Sequence, residues 1–494
     1  MATASAYDAV PYPGHPFAQT HPDRLATLAT LFGLEPPLLE HCRVLELGCG
    51  DGGNLVPMAL GLPAAHFVGV DAAAGAIARG RTLVDALALP NVELLAEPLE
   101  RFEPAGGGFD YVIAHGVYSW VDAPVRDRLL ALCRQALSEQ GMVYVSYNAL
   151  PGGRLREALR DMLVFHAGAI QQPDERVAQA RALLGLLIEG WSERHEFGAV
   201  MRRQAEQLFE RGDETLFHDE LARVNESVYF HEFAAHAGRH GLQYLAEADF
   251  FEIQIGTLPE RVAEELLGID DVVAREQYLD FLKGRMFRQT LLCRAELVLD
   301  RTPRPGLIAD MAVSSPVRAR GEPGPDGRTT FEGPSGSTLT TDHPGVIAAL
   351  ERIGQCWPAA VWVRELLPDD PSQADAEALL DALLRAYAGN LVQLHVRPPE
   401  FATSARERPQ ASPLARHQAG AGELATNLRH TTVRLEDQLG RRLLMLLDGT
   451  RDRPALLTEL RTWLTEAGHD VPRDLEDGLD RSLQALARLA LLQG

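Results

Sequence analysis

The segment Arg43–Asn54 places an acid and several glycines around the end of a short apolar run. Glu46 lies within that run, and Gly48, Gly50 and Gly52 follow at alternate positions. Glycine permits backbone angles and close contacts that a Cβ atom would exclude. A strand, a glycine turn and the start of a helix form a nucleotide-sized crevice at the carboxyl edge of a parallel sheet. The segment therefore predicts a binding site for a cofactor that contains a nucleoside.

Two cofactor classes fit these glycines. Gly48, Gly50 and Gly53 satisfy the dinucleotide pattern G-x-G-x-x-G. Asp71 follows at about the spacing that this pattern requires for a ribose contact. A phosphate-binding loop, however, disfavours a negative charge such as that of Glu46 beside the pyrophosphate. S-adenosylmethionine has no phosphate and carries a sulfonium and an ammonium group, which suit an acid, so the residues favour it over a dinucleotide.

Four further apolar runs follow the glycine segment and read as strands of one sheet. They are Phe67–Asp71, Asn91–Glu97, Phe109–Gly116 and Gly141–Asn148. Asp71 ends the first run, where its carboxylate would accept hydrogen bonds from both ribose hydroxyls. Glu97 ends the second run, so this acid or its neighbouring backbone is expected near the adenine.

This ordered set resembles the class I S-adenosylmethionine-dependent methyltransferases over residues 40–155. The resemblance implies an α/β fold with a Rossmann-like core and S-adenosylmethionine as the cofactor. It also implies that Glu46 and the glycines line the methionine end of the cofactor, that Asp71 holds the ribose and that Glu97 meets the adenine. Further residues assigned to the cofactor are Cys49, Asn54, Ala72, His115 and Gly116.

Residues 1–37 form a proline-rich arm that leads into a helix. Thr20 is a plausible N-cap of that helix. The arm carries more polar and aromatic groups than a linker needs. We expect it to fold over the cofactor with Tyr12, Gln19, Thr20 and His21 near the site, and the alternative is a cap on the sheet edge.

The residues around the methyl acceptor are expected after the fourth and fifth strands, because transfer requires a nucleophile held in line and shielded from water. Tyr118 and Trp120 offer aromatic faces that attract ammonium and sulfonium groups. Tyr147 and Asn148 are placed to orient a substrate amine. We therefore predict Tyr118, Tyr147 and Asn148 as catalytic residues and Trp120 as a substrate contact, with aromatic packing at the sheet edge as the alternative. The Asn-Pro-Pro-Tyr run of enzymes that methylate DNA bases or glutamine is absent from this sequence.

The charge balance argues against a nucleic-acid substrate. The 494 residues carry a formal net charge of −22, whereas a nucleic-acid enzyme usually needs a basic face for the phosphates. An acidic protein suits a partner that presents lysines. The five cysteines show no C-x-x-C spacing, the N-terminus has no leader pattern, and no run of about 20 apolar residues occurs. We therefore expect a cytoplasmic protein without a transmembrane segment.

Three histidines close together in sequence raise the question of a metal. His231, His236 and His240 lack an accompanying acid or cysteine, and separations of five and four residues do not put all three on one helical face. We therefore expect no metal site.

The sequence predicts five regions. Residues 1–37 are the arm and its helix, 38–153 the cofactor-binding core, 154–302 a helical regulatory region that completes the sheet, 303–397 a winged-helix-like domain and 398–494 a C-terminal helical region. Gly241–Ala246 and Gln289–Val298 are the candidate last strands of the sheet. The stretch Tyr229–Ala248 resembles a methyltransferase regulatory domain. A turn at Pro325–Gly327 predicts a hairpin that opens the second domain.

Together the arm, with its Gln19–Leu25 motif, the core, the regulatory region and the C-terminal helices resemble bacterial protein-lysine methyltransferases that modify outer-membrane proteins. The resemblance implies an extended protein substrate that the additional domains hold. A small-molecule O- or N-methyltransferase and a noncatalytic S-adenosylmethionine-binding module are the alternatives. A closed pocket would favour a small molecule, and an open groove would favour a protein. The C-terminal domain is the candidate interface of a homodimer.

Overall fold

A seven-stranded sheet forms the centre of the computed structural model, which describes residue 10 and residues 14–104, 108–367 and 372–494. The strand order is β3-β2-β1-β4-β5-β7-β6. Neighbours among β1 to β5 are parallel, whereas β7 runs antiparallel to both β5 and β6. The strands are β1 (Arg43–Leu47), β2 (His66–Asp71), β3 (Val92–Ala96), β4 (Phe109–Ala114), β5 (Leu137–Asn148), β6 (Leu242–Glu247) and β7 (Phe287–Arg294). The sheet confirms the predicted Rossmann-like core.

Helices cover both faces of this sheet, which explains why its strands are almost continuously apolar. Successive side chains of a strand point to opposite faces. Leu45 and Leu47 pack with Leu129 of α4 on one face, and Val44 packs with Leu28 of α1 on the other. The helices of this part are α1 (Pro22–Leu31), α2 (Leu55–Gly61), α3 (Ala74–Ala86) and α4 (Ala123–Ala136).

A helical region separates β5 from the last two strands. Three of its helices enclose an apolar cluster of their own, which includes Leu163, Leu184 and Met201. The helices are α5 (Gly153–Ala167), α6 (Pro173–Gly190), α7 (Glu196–Phe209), α8 (Phe230–Arg239), α9 (Glu260–Leu267) and α10 (Val272–Lys283), with a one-turn helix at Asp213–Thr215 and a π-helix at Leu216–Glu220. The predicted strands Gly241–Ala246 and Gln289–Val298 correspond to β6 and β7.

Residues 303–397 pack into the core of the sheet instead of forming the separate winged-helix-like domain that the sequence predicts. Leu350 and Leu383 belong to the same apolar cluster as Val44 and Leu28. Six short strands and two helices bury too little on their own, so they extend the existing core. The elements are β8 (Ala312–Ser314), β9 (Arg318–Ala319), β10 (Thr329–Glu332), β11 (Thr338–Thr341), α11 (Pro344–Cys356), β12 (Val361–Trp362), α12 (Gln373–Ala388) and β13 (Gln393–His395). The predicted hairpin pairs β9 with β10.

The C-terminal region has its own apolar core, which includes Leu443, Leu460 and Leu483. No helix within the described ranges combines the length and apolar character needed to span a bilayer. The C-terminal elements are α13 (Pro413–Ala421), β14 (Leu424–Thr426), β15 (Thr432–Arg434), α14 (Gln438–Leu446), α15 (Arg453–Glu466) and α16 (Leu475–Arg488). Single 3₁₀ turns of the chain lie at Ala18–Thr20, Leu39–His41, Tyr118–Trp120, Phe250–Ile253, Pro305–Ile308 and Val363–Glu365.

Candidate functional site

The loop between β1 and α2 has a backbone conformation that favours glycine. Gly48, Gly50 and Gly52 have φ values of 79°, 57° and 78°, in the left-handed region that a Cβ atom disfavours. A Cβ atom at Gly48 would lie 2.4 Å from Val117 Cγ2, so this glycine also lets the loop pack against the loop after β4. A Cβ atom at Gly50 would have no neighbour within 4 Å. Gly50 therefore faces open space that a ligand can occupy.

Glu46 lies beneath this loop with one carboxylate oxygen unpaired. It is 3% exposed, and its Oε1 accepts a hydrogen bond of 2.8 Å from Asn54 Nδ2. Its Oε2 is buried and has no hydrogen-bond partner among the described residues. Burial raises the pKa of Glu46 to about 8, and the Asn54 hydrogen bond opposes that rise. Because a buried polar atom without a partner is unfavourable, Oε2 suits a ligand that brings an ammonium group.

Asp71 holds the glycine loop from the end of β2. Its Oδ2 accepts a hydrogen bond of 2.9 Å from Gly50 N, and its Oδ1 accepts one of 2.8 Å from Ala73 N. Glu97 N donates to the Asp71 carbonyl oxygen at 2.9 Å. Ala72 is exposed at the same edge. The structure thus brings together the residues that the sequence assigns to the ribose and the adenine.

Cys49 and Gly116 contribute to the site in different ways. Cys49 is buried, and a Cβ atom at Gly69 of β2 would lie 2.7 Å from its Sγ, so its thiol packs against the sheet. Burial raises the pKa of this thiol well above its ordinary value. Gly116 has a φ of 66°, donates its N–H to Ser146 Oγ at 2.8 Å and would have no neighbour within 4 Å of a Cβ atom. Cys49 therefore supports the loop, and Gly116 presents backbone to open space.

Asn54 joins the arm to Glu46. Its Nδ2 donates to Glu46 Oε1 at 2.8 Å and to Thr20 Oγ1 at 3.0 Å. Its Oδ1 accepts from Phe17 N and from His430 Nε2, both at 2.9 Å. These contacts fill both donor and both acceptor positions of the amide, which fixes its orientation. The arm and the C-terminal region therefore both hold the residue that orients Glu46, and no pattern in the sequence pointed to His430.

The helix of the arm begins one residue later than a Thr20 cap would require. Its N-cap is His21, whose Nδ1 accepts a hydrogen bond of 3.2 Å from Asp23 N. Thr20 is free to bond with Asn54 because its side chain does not cap the helix. Burial lowers the pKa of His21 to about 4. Gln19 and His21 line a separate cavity, and Tyr12 lies outside the described residues.

That cavity has a volume of about 1090 Å³ and lies where the arm, residues 303–397 and the C-terminal region meet. Asp23 Oδ2 lies 2.7 Å from His395 Nδ1, and His395 Nε2 lies 2.8 Å from Ser314 Oγ. All three side chains are buried, and Ser314 Oγ also accepts from Arg429 Nη2 at 3.2 Å. The Arg397 N–H donates to the second oxygen of Asp23 at 2.8 Å. We interpret this series of hydrogen bonds as a structural connection between α1, which carries Asp23, and the small sheet that contains β8 and β13.

An aromatic wall borders the glycine loop. The ring centroid of Phe17 lies 3.7 Å from that of His115, and the ring centroid of Phe287 lies 6.4 Å from it at an interplanar angle of 71°. His115 Nδ1 lies 3.0 Å from Tyr144 Oη, and burial lowers the pKa of His115 to about 4. His115 is therefore neutral at pH 7. Sequence reasoning missed Phe17, which lies in the arm just before the Gln19–Leu25 motif, and Phe287, which lies on a strand distant in sequence.

Tyr118 and Tyr147 lie in the core, although the sequence predicts them to be catalytic. Tyr147 stacks on Phe233 with 4.1 Å between ring centroids, and its hydroxyl bonds with Thr290 Oγ1 at 3.0 Å. Tyr118 is 3% exposed, and its hydroxyl lies 2.8 Å from His236 Nδ1. Because side chains alternate along β5, Tyr147 points to the face opposite Tyr144 and His115. The aromatic-packing alternative therefore describes both tyrosines.

Asn148 and Trp120 connect the core to the helical region. Asn148 Nδ2 donates to Asn225 Oδ1 at 2.7 Å, and Asn148 N donates to Ser119 Oγ at 2.9 Å. The Ser119 carbonyl accepts from Glu226 N at 2.9 Å. Trp120 is half-buried at the end of this turn. One donor of the Asn148 amide therefore bonds to the helical region, and the role of Asn148 in orienting a substrate amine stays a prediction.

Three family models match this chain. Residues 44–141 match a methyltransferase domain, residues 212–294 a predicted methyltransferase regulatory domain, and residues 407–491 the C-terminal winged helix domain of PKMT. The winged helix therefore corresponds to the C-terminal region and not to residues 303–397, to which sequence reasoning assigns it.

Two proteins of Rickettsia prowazekii, both described as uncharacterised, are relatives of this chain. One is 41% identical over 302 residues, which are 61% of this chain and 55% of the relative. This chain thus spans about half the length of that relative. The other is 32% identical over 241 residues, which are 49% of this chain and 96% of the relative.

The structure of PKMT2 from Rickettsia typhi is similar over almost the whole chain. The match has a TM-score of 0.87 at 26% identity and covers 98% of this chain and 100% of PKMT2. A structure of PKMT2 in complex with AdoHcy matches with a TM-score of 0.86 at 27% identity. The strand order, the glycine loop with its buried acid and the three matched domains point to one conclusion. The chain belongs to the S-adenosylmethionine-dependent methyltransferases, in the group that combines the catalytic core with a methyltransferase regulatory domain and a PKMT winged helix.

Proposed function

We propose that this protein transfers methyl groups from S-adenosylmethionine to lysine side chains of a protein substrate. The observation that carries the proposal is the buried Oε2 of Glu46, which has no partner in the described part of the chain and lies beneath an open glycine loop. The likeness to PKMT2, read as a protein-lysine methyltransferase, supports the choice of acceptor.

The residues of the loop fit S-adenosylmethionine better than a dinucleotide. Glu46 would hold the ammonium group of the methionine end as a carboxylate, whereas a pyrophosphate brings no cation to this buried acid. Gly50 and Gly116 leave room for a ligand beside their backbone. Asp71 would accept hydrogen bonds from the ribose hydroxyls, and Ala72 with Glu97 would border the adenine.

When bound, S-adenosylmethionine supplies an electrophilic methyl carbon: the lysine nitrogen forms a bond to it while the carbon–sulfur bond breaks and its electron pair passes to sulfur. The lysine amine must first lose a proton, because its ordinary pKa is about 10.4. Phe17 and Phe287 would remove water from around the ammonium, which lowers its pKa and releases the proton to solvent. His115, with a pKa of about 4, is too weak a base to take that proton. Its ring instead lies beside those of both phenylalanines.

The surface beside this wall suits a protein substrate more than a small molecule. Phe281, Leu282, Met286 and Phe287 are exposed within seven consecutive residues, and Tyr278 lies one turn before them on α10. Contiguous exposed apolar residues commonly mark a protein-binding surface. The net charge of −22 favours a basic partner. A small-molecule methyltransferase would instead need an enclosed acceptor pocket at the loop.

The charge and the cysteines of this protein bear on its partners and its location. Nucleic acid is not the substrate, because the chain lacks the excess of basic residues that phosphates require. All five cysteines are unpaired, which fits a protein of the cytoplasm. We propose the C-terminal region as the interface of a homodimer, and light scattering at several protein concentrations would test this.

The deciding experiment has two steps. Calorimetric titration with S-adenosylmethionine and, separately, NAD tests the cofactor, with Glu46→Gln as the control variant. Transfer of tritiated methyl groups is then measured on a reduced and alkylated protein, before and after its lysines have been blocked by acetylation. Binding of S-adenosylmethionine and labelling of only the unblocked protein would support the proposal. Binding without labelling would favour a small-molecule acceptor, and binding of NAD alone would overturn the methyltransferase function.

A further inference from the structure

An acid and two histidines converge where α4 of the core meets α8 of the regulatory region. Asp127 lies on α4, His236 lies on α8, and His240 follows the end of α8. Asp127 Oδ1 lies 3.3 Å from His236 Nε2 and 2.8 Å from His240 Nε2. The ligand atoms of the three residues all lie within 4.8 Å of one another. Three groups that commonly bind metals thus point at one place near the surface.

We propose that Asp127, His236 and His240 bind a divalent metal ion such as zinc. Imidazole nitrogen and carboxylate oxygen are ordinary zinc ligands, and three protein ligands leave one tetrahedral position open for water. The two histidines are four residues apart, so they lie on one side of the helix. An ion between them would replace the two hydrogen bonds to Asp127 with three bonds to metal.

This proposal differs from the expectation from sequence that no metal site exists. The sequence shows three nearby histidines without an acid, whereas the acid comes from α4, 109 residues before His236. His231 does not belong to the cluster. Its Nδ1 lies 2.9 Å from Gln277 Oε1, and its ring stacks on Tyr229.

The second ring nitrogen of His236 is held by the core. His236 Nδ1 lies 2.8 Å from Tyr118 Oη. Metal-bound histidines usually use this nitrogen for a hydrogen bond that fixes the orientation of the ring. Without metal, His236 Nε2–H donates to Asp127, so Nδ1 accepts from the Tyr118 hydroxyl. With an ion on Nε2, the proton moves to Nδ1, and His236 donates to Tyr118 without any net release of protons.

This reversal would reach the core, because Tyr118 lies in the 3₁₀ turn that follows Gly116. The direction of its hydrogen bond to His236 would depend on whether the ion is bound. The ion would also fasten the regulatory region to the core, because its ligands come from both. The cluster is thus a candidate regulatory or stabilising site, distinct from the cofactor loop.

The test uses the full chain without a histidine tag. Zinc chloride is titrated by calorimetry, and cobalt chloride is titrated by visible absorption. We expect one ion per chain, with binding lost in Asp127→Asn and in His240→Ala. His231→Ala is the matched control, since it removes a histidine of the same helix that lies outside the cluster, and it should bind like the unaltered chain. Thermal unfolding of each variant verifies that it is folded.

A second measurement identifies the ligand atoms. In nitrogen-15 spectra of histidine-labelled protein, zinc should shift the Nε2 signals of His236 and His240 and leave those of His231 in place. Failure to bind one equivalent, or binding that survives in both Asp127→Asn and His240→Ala, would overturn the proposal. None of these measurements requires methyl transfer, so the metal site and the proposed function can fail independently.

Discussion

His430 Nε2 lies 2.9 Å from Asn54 Oδ1, across 376 residues of sequence. His430 lies in the turn between β14 and β15 of the C-terminal region, and Asn54 precedes α2. Because an amide oxygen only accepts, His430 must carry its proton on Nε2. Its Nδ1 is buried without a partner among the described residues, and burial lowers the pKa of His430 well below its ordinary value. The C-terminal region thus takes part in orienting the residue that holds Glu46.

His430→Ala should weaken binding of S-adenosylmethionine. The lost hydrogen bond contributes about 0.5 to 1.5 kcal/mol, so we expect the Kd to rise about three- to tenfold. Calorimetry checks this, and His417→Ala is the control because His417 is exposed on α13. An unchanged Kd in His430→Ala, with the fold intact, would contradict a role in orienting Asn54.

Glu46→Gln should weaken binding of S-adenosylmethionine more strongly. A hydrogen bond to a charged group contributes about 1.5 to 3 kcal/mol, so we expect a loss of about ten- to a hundredfold in affinity. Glutamine retains the size of the side chain, so the fold should persist. Asp51→Asn provides a comparison, since it also removes one acid of the same loop. An equal, small effect in both variants would show that only the overall charge of the loop matters.

The pH dependence of binding should report the titration of Glu46. The pKa of its carboxyl is raised from 4.5 to about 8, so the free folded protein holds a proton that a bound ammonium would displace. Affinity should therefore rise with pH up to about 8 and level off above it. Without cofactor, the stability of the fold has the opposite pH dependence. The folded state binds the extra proton, so its free energy of unfolding falls as pH rises from about 4.5 to about 8. Calorimetry in buffers of different ionisation enthalpy measures the released proton, which should be absent in Glu46→Gln.

Phe17→Ala should reduce kcat/KM for a lysine substrate. The variant removes the ring that stacks on His115 but retains the backbone N–H that bonds to Asn54. An aromatic pair contributes about 0.5 to 1.5 kcal/mol, so we expect a loss of about three- to tenfold. Phe165→Ala is the control, because Phe165 is fully exposed on α5. Equal kcat/KM values for the two variants would show that Phe17 does not line the acceptor pocket.

Tyr147→Phe should retain methyl transfer and lose stability. Its hydroxyl bonds with Thr290 within the core, so the variant should unfold about 1 kcal/mol more easily while kcat stays near that of the unaltered chain. Denaturant unfolding and initial rates check the two parts. A large fall in kcat with unchanged stability would restore the catalytic role that the sequence predicts for this residue.

The sequence alone determined the chemistry of the cofactor loop. The apolar runs specify strands, and the glycines specify a turn at their carboxyl edge, because glycine adopts most readily the left-handed angles found at Gly48, Gly50 and Gly52. The position of Glu46 already argued for a cationic ligand. These features are local or follow from the regular order of a parallel sheet, so they can be read from spacing.

Only the tertiary structure decided which side chains meet around that loop. His430, Phe287 and Asp127 come from distant parts of the chain, and nothing in their local sequence shows which residues they contact. Tyr147 and Tyr144 lie on one strand, and the packing of both sheet faces decides that only Tyr144 meets His115. Sequence spacing specifies backbone conformation and the alternation of faces. Contacts between distant elements depend on how complete layers pack, which no single segment encodes.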